Sequence, residues 1–167
     1  MDTVTFQGTP LHLMGKQPKV GTPAPDFTLT ANDLTPRTLK DFAGKILVLA
    51  CVPSLDTPVC DLEMRHFNAE APKLSDKVRI VAVSRDLPFA QARWCGAANA
   101  KAVETLSDYK EGGFGLAYGV LIEELRLLAR AVFVVGPDGI LTYSQIVPEM
   151  TDEPDYAAVL NAVKALA

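Results

Sequence analysis

Three cysteines and two histidines are the side chains of this 167-residue sequence best suited to covalent or metal chemistry, and their settings differ. Cys60 lies in "PSLDTPVCDLEMRHF", residues 53–67, directly after the apolar run "ILVLACV". A proline closes what reads as a buried strand, and a Thr-Pro pair opens what reads as a helix. With Thr57 as the N-cap and Pro58 at the first helical position, Cys60 is the third helical residue. The unpaired amide groups of a first turn and the helix dipole both favour negative charge there, hence thiolate over thiol. Asp56 opposes this if its carboxylate lies close. Cys60 also falls on an apolar stripe with Met64, Phe67 and Ala71 at helical spacing, so the pattern fits a core position equally well.

Cys51 sits inside "ILVLACV", where a cysteine acts as a small hydrophobe and burial disfavours its thiolate. Cys95, in "ARWCG", comes late in a second expected helix, beside a glycine that would end it. Helix ends open at the least cost, so a cysteine there can move. Metal ligation has little support, because Cys60 and His66 are six residues apart and no C-x-x-C or H-x-x-x-H spacing occurs. The missing C-x-x-C also excludes a thioredoxin-type dithiol. A Ser or Cys hydrolase needs a histidine base. His12 lies in an expected hairpin and His66 roughly two turns along the helix from Cys60, so both read as structural or surface residues.

The elements that must position these residues follow from pattern. "TVTFQ" and "LHLM" flank Gly8-Thr9-Pro10 and predict an N-terminal hairpin. After "DFTLT" and "PRTLKDFAG" come a strand over 46–52, a helix over 58–71, a strand over 78–83 and a helix over 88–98. "AVFVV" and "ILTYSQI" flank Gly136-Pro137-Asp138-Gly139 and predict an antiparallel hairpin. The last segment, "PDYAAVLNAVKALA", places Tyr156, Val159, Leu160, Val163 and Leu166 on one helical face. The expectation is one α/β domain over 1–167, with a mixed central sheet flanked by helices, compatible with a thioredoxin-like fold. A content of 49% hydrophobic and 22% charged residues fits an ordinary globular protein. The net charge of −4, with no Lys/Arg cluster, argues against nucleic acid as a partner. The longest apolar runs, 46–52 and 131–135, fall far short of the about 20 residues of a membrane span. No basic start precedes an apolar h-region, and an odd cysteine count cannot pair completely, so a cytoplasmic location is expected.

These residues also carry a resemblance. "PSLDTPVC" matches the P-x-x-x-T/S-x-x-C signature of peroxiredoxins at Pro53, Thr57 and Cys60. "DLPFAQARWCG", the arginine of "ARAVFVV", the N-terminal hairpin and "SQIVPEMTDEPDY" resemble the thiol peroxidase branch, the bacterial atypical two-cysteine peroxiredoxins. The likeness runs from about residue 3 to the C-terminus. It implies a thioredoxin-like fold and an antioxidant enzyme reducing hydrogen peroxide and organic hydroperoxides. Cys60 would be the peroxidatic cysteine, oxidised to a sulfenic acid. Cys95 would resolve it as an intramolecular disulfide, which thioredoxin then reduces. Thr57, Arg130 and the first-turn amides would stabilise the leaving oxygen, and Pro53 would shield the sulfur from water. The family also implies a homodimer, with no cofactor and no metal. The apolar stretch "KEGGFGLAYGVLI" is expected to line the approach to the site. A redox sensor using the same two cysteines, or a scaffold with inert thiols, would be the alternatives.

Overall fold

In the computed structural model, which describes residues 2–167, β1 (Thr3–Phe6) and β2 (Thr9–Met14) form the expected antiparallel hairpin. Its turn is Gln7-Gly8, both at positive φ (50° and 85°), the backbone that matches strand twist in a two-residue connection. Pro10, read from the sequence as part of the turn, instead pairs with Thr5 inside the ladder. Next come β3 (Thr28–Ala31), β4 (Pro36–Thr38), a 3-10 turn (Leu39–Phe42) and β5 (Ile46–Cys51). Helix α1 (Pro58–Glu70) leads to β6 (Val78–Ser84), and α2 (Pro88–Ala98) to β7 (Val103–Ser107). The short helix α3 (Gly113–Ala117) and β8 (Leu121–Ile122) precede the hairpin β9 (Ala131–Val135) and β10 (Leu141–Ile146), and α4 (Tyr156–Leu166) closes the chain.

Seven strands form one mixed sheet in the order β10-β9-β5-β6-β7-β3-β4, parallel across β5, β6 and β7 and antiparallel elsewhere. Helices flank it, the mixed-sheet α/β architecture expected from the alternation of elements and compatible with the thioredoxin-like fold that the resemblance implies. Strand β5 has no polar side chain because both of its faces are covered. Leu47, Leu49 and Cys51 join one core with the N-terminal hairpin, Phe114, Tyr118 and β8. Ile46, Val48, Ala50 and Val52 join the other with Cys60, Met64 and Phe67 of α1, Trp94 of α2, and Val159 and Val163 of α4.

Besides the place of Pro10, three findings depart from the expectations. The sequence patterns do not predict strand β7, helix α3 or β8. Helix α2 ends on Asn99, which takes the left-handed conformation at φ 52°, and Gly96 lies within it. The segment containing Phe114, Tyr118, Val120 and Ile122 packs on the sheet face opposite Cys60, so "KEGGFGLAYGVLI" does not line the approach to that sulfur.

The N-terminal hairpin is tied to residues 148–151. The Thr5 amide donates to the Pro148 carbonyl (2.7 Å) and the Met150 amide to the Thr5 carbonyl (2.8 Å). The Glu149 carboxylate accepts from the Gln7 and Gly8 amides, the Thr5 hydroxyl, and both the amide and hydroxyl of Thr151. These bonds, that of the Thr151 amide foremost and that of Gly8 next, hold the Glu149 carboxyl down at about 2. A depressed carboxyl stabilises the fold above its unfolded value, near 4.5, and the contribution is lost as pH falls through the folded value. We therefore expect the Gln7 and Gly8 amide resonances to hold steady from neutral pH to about 4.5 and to shift as pH falls towards about 2. In Glu149→Gln the same titration should show no such step.

Candidate active site

Helix α1 begins as its sequence dictates. Thr57 has an extended backbone (φ −92°, ψ 148°), Pro58 is the first helical residue and Cys60 the third. The Thr57 side chain makes no capping bond; its hydroxyl donates to the Ser54 carbonyl at 2.9 Å. With its single hydrogen engaged there, Thr57 Oγ1 offers only lone pairs to any other group. In this arrangement it is an acceptor and not the donor to a leaving oxygen that the resemblance implies. Pro53 is buried at the end of the run that starts with β5. Asp86, from the turn after β6, holds the intervening loop, accepting from Ser54 Oγ (2.7 Å) and the Leu55 amide (2.8 Å).

Cys60 is fully buried and packs in one core with Met64 and Phe67, so the apolar stripe and the helix-start position are both real. What separates Cys60 from a filler residue is Arg130. Residue 131 pairs with Cys51 across β9 and β5, which places Arg130 at the end of β5, where the loop to Cys60 departs. Its side chain is only 2% exposed. Nε and Nη2 donate to the Met150 carbonyl (3.1 and 2.8 Å), and Nη1 donates to Glu63 Oε2 at 2.8 Å. Burial works against the guanidinium charge, but the Cys60 sulfur and the Glu63 carboxylate outweigh it and hold Arg130 above its ordinary value.

Sequence reasoning missed Glu63. It is fully buried, and among the described residues Oε1 has no hydrogen-bond partner. Burial pushes its carboxyl up to about 7, against the opposing pull of Arg130. The available signal was its position three residues after Cys60, which puts it on the same side of α1.

The structure does not bring Cys95 to Cys60. Cys95 is half-buried on α2, with Sγ 3.4 Å from Thr105 Oγ1 of β7. Thr105 donates its hydrogen to Asn32 Oδ1 (2.9 Å), so the Cys95 thiol is the donor in its own contact. The sulfur lines an open cleft of ≈ 520 Å³ with Asn32, Arg37 and Glu104. All three cysteines are unpaired. Cys51 faces the other core, where burial pushes its thiol well up, as expected of filler. His66 stacks on Tyr156 (centroids 3.8 Å apart), and exposed His12 bonds Glu124. Among the described residues the one grouping of potential metal-ligand atoms is His12, Glu123 and Glu124, exposed around the N-terminal hairpin.

The site therefore joins a buried thiol at a helix start, a buried cation beside it, and a hydroxyl presenting lone pairs. That set suits a small molecule with one acidic hydrogen and an atom on which negative charge develops.

Residues 19–160 match the Redoxin family. The sequence is 52% identical over 165 residues to the thiol peroxidase of Halalkalibacterium halodurans, covering 99% of each chain. It is 50% identical over 166 residues to that of Bacillus subtilis, again over 99% of each. Among solved structures, the peroxiredoxin-like protein of Aquifex aeolicus superposes with a TM-score of 0.93 at 40% identity, covering 100% of this chain and 98% of the other.

The raised Glu63 carboxyl fixes the sign of a stability profile. Below pH about 4.5 the group is protonated in folded and unfolded chains alike. As pH rises through about 7 the unfolded chain ionises first, so the folded state loses stability over that window. Glu63→Gln mimics the protonated acid, so its advantage over the native protein should grow steadily as pH rises across the window. Urea denaturation of both proteins from about pH 4.5 to about 8 measures the difference. A difference that moves the other way would mean the pairing with Arg130 outweighs burial.

Proposed function

The chain belongs to the Redoxin family, among its thiol peroxidases, and on that premise we propose that Cys60 is the sulfur that reduces the peroxide. The observation that carries this reading is the buried Arg130 guanidinium, held by Met150 and Glu63 against the Cys60 sulfur. The Cys60 thiolate attacks one peroxide oxygen and the O–O bond breaks. Sulfur is oxidised to a sulfenic acid, and the other oxygen leaves with the bonding pair, taking a proton to become water or an alcohol.

Thr57 Oγ1, its own hydrogen engaged by Ser54, accepts the peroxide O–H and orients the attacked oxygen. Arg130 and the first-turn amides meet the charge that develops on the leaving oxygen. A preorganised donor of this kind contributes about 10²–10³ in rate. Pro53, buried before the loop, keeps water from the sulfur. Hydrogen peroxide and organic hydroperoxides are both substrates on this reading.

Cys95 then condenses with the sulfenic acid, forming the disulfide and releasing water, and thioredoxin reduces that disulfide to restore both thiols. Because the cysteines sit on separate helices and the Cys95 thiol is engaged by Thr105, the condensation requires one or both helix ends to open. The cycle runs in the cytoplasm, with residues 1–167 acting as one domain and two chains forming a homodimer.

Cys60→Ser should abolish turnover. Cys95→Ser should reduce one peroxide per subunit and then stall, with no thioredoxin-coupled cycling. Thr57→Val, which loses the group orienting the attacked oxygen, should lower the peroxide kcat/KM by about 10²-fold, and Thr57→Ser should retain most of it. The deciding measurement is a disulfide map after one equivalent of cumene hydroperoxide, with acid quench and peptide mass spectrometry. A Cys60–Cys95 bond with Cys51 alkylated is the expected result; peroxidase activity in Cys60→Ser, or a bond to Cys51, sinks the assignment.

A further inference from the structure

Between the two cysteine-bearing helices there is one side-chain contact whose members adjoin both sulfurs in sequence. Trp94 Nε1 donates to Asp61 Oδ1 at 2.7 Å. Asp61 follows Cys60 and Trp94 precedes Cys95. We propose that the Trp94–Asp61 hydrogen bond is a latch between the helices, and that its release sets how fast a Cys60 sulfenic acid is captured by Cys95. The inference rests on the two-cysteine cycle proposed above and adds two positioning residues to it.

Helix α2 is held to the body of the protein at few points. Its buried residues are Pro88, Gln91 and Trp94. Gln91 fixes the first half, donating from Nε2 to Ser84 Oγ and to the Leu106 carbonyl, each at 2.9 Å. Beyond it, residues 92–98 contribute one buried side chain, Trp94, which is 8% exposed. On the other side, Arg65 Nε donates to both Asp61 carboxylate oxygens (3.0 and 2.9 Å) and fixes the acceptor. Successive side chains on a helix point about 100° apart. With the indole directed at the start of α1, the Cys95 thiol is turned to Thr105 of β7. Bringing that sulfur to Cys60 means rotating or unwinding the second half of α2, which takes Trp94 off Asp61.

The latch sets the lifetime of the sulfenic acid. During that lifetime two reactions compete. Condensation with the Cys95 thiol gives a disulfide and water. Attack on a second peroxide gives a sulfinic acid and water or alcohol, which the disulfide cycle does not reverse.

The test uses Trp94→Phe, which keeps a ring and removes the donor, and Asp61→Asn, which keeps the shape and removes the charge, with the double variant. Rapid acid quench and mass spectrometry follow sulfenic acid, disulfide and sulfinic acid after a peroxide pulse. Trp94→Phe removes a bond to a charged acceptor and should form the disulfide roughly 10-fold faster. Asp61→Asn, whose amide oxygen still accepts, should be faster by a smaller factor. Each should also accumulate correspondingly less sulfinic acid at excess peroxide, with the first step in Trp94→Phe unchanged. The double variant should be no faster than the faster single. Unchanged capture rates, or effects that multiply in the double variant as two independent packing losses would, overturn the latch. If the native protein forms no Cys60–Cys95 disulfide, the underlying cycle fails instead, and the two failures are distinct.

Discussion

The Arg130–Glu63 ion pair, sealed in the interior beside Cys60, is the interaction around which the rest of the site is arranged. Removing two charges from water carries a penalty of several kcal/mol per ion, which attraction offsets only when the remaining donors and acceptors are met. For the cation, each of the three nitrogens has a partner. Two guanidinium nitrogens share the Met150 carbonyl and a third bonds Glu63. The Met150 carbonyl is in place because residues 147–151 are fixed at both ends. The Val147 amide donates to the Arg130 carbonyl, while the Met150 amide donates to Thr5 of the N-terminal hairpin. A hairpin packed on the opposite face of the sheet is therefore part of what aims a guanidinium at a sulfur. The anion is less well served, since Glu63 Oε1 has no partner among the described residues.

Burial alone does not distinguish the chain's cysteines. Cys51 and Cys60 are equally inaccessible, and nine positions separate them. Cys51 is the last residue of β5, on the face shared with the hairpin and Tyr118, and what it meets is apolar surface and the fields of Glu63 and Asp108. Both disfavour a thiolate. Cys60 stands on the other face, at a helix start, next to a cation that cannot lose its charge. The alternation of β5 side chains decides which cysteine lies on which face. A one-residue slip of that strand would put Cys51 on the face of Cys60 and remove Arg130 from its place opposite the loop.

Much of this is legible in the sequence wherever a local rule applies. The apolar run of β5, the proline at the start of α1 and α2, the Gly-Pro-Asp-Gly turn and the 3.6-residue period of α4 each act within a few residues. The elements they predict appear with bounds within a residue or two. The same kind of reasoning puts Thr57, Pro58 and Cys60 at their observed places on the helix. What stays hidden is either too short to show a period or made at long range. Helix α3 has five residues and β8 two, and "VETLS" mixes polar with apolar residues although β7 is largely buried. Glu63 and Arg130 are 67 positions apart, and no local pattern announces that they meet. Only family resemblance singles out Arg130. Glu63 reads as one more charged residue on an amphipathic helix, because an acid that will be buried looks like any other until its counter-ion is known.

The proposed cycle makes opposed demands on one small region. Peroxide attack needs the start of α1 rigid, with donors fixed before the substrate arrives, whereas disulfide formation needs helix ends that can open. The distribution of contacts suits both demands by making the two helices unequal. Opening α1 at Cys60 disturbs Met64 and Phe67 behind it and withdraws the sulfur from Arg130, in the most buried part of the core. Opening α2 beyond Gln91 exposes one large side chain, Trp94, a cost on the order of 2–3 kcal/mol in apolar burial, and breaks one hydrogen bond to a carboxylate. Local openings of that size are ordinary excursions of a folded chain. On the proposed cycle the larger movement therefore falls to Cys95, with Cys60 leaving its pocket only as far as the incoming thiol requires. The machinery for the first step stays largely assembled while the second proceeds, so reduction of the disulfide needs to restore little more than the second half of α2.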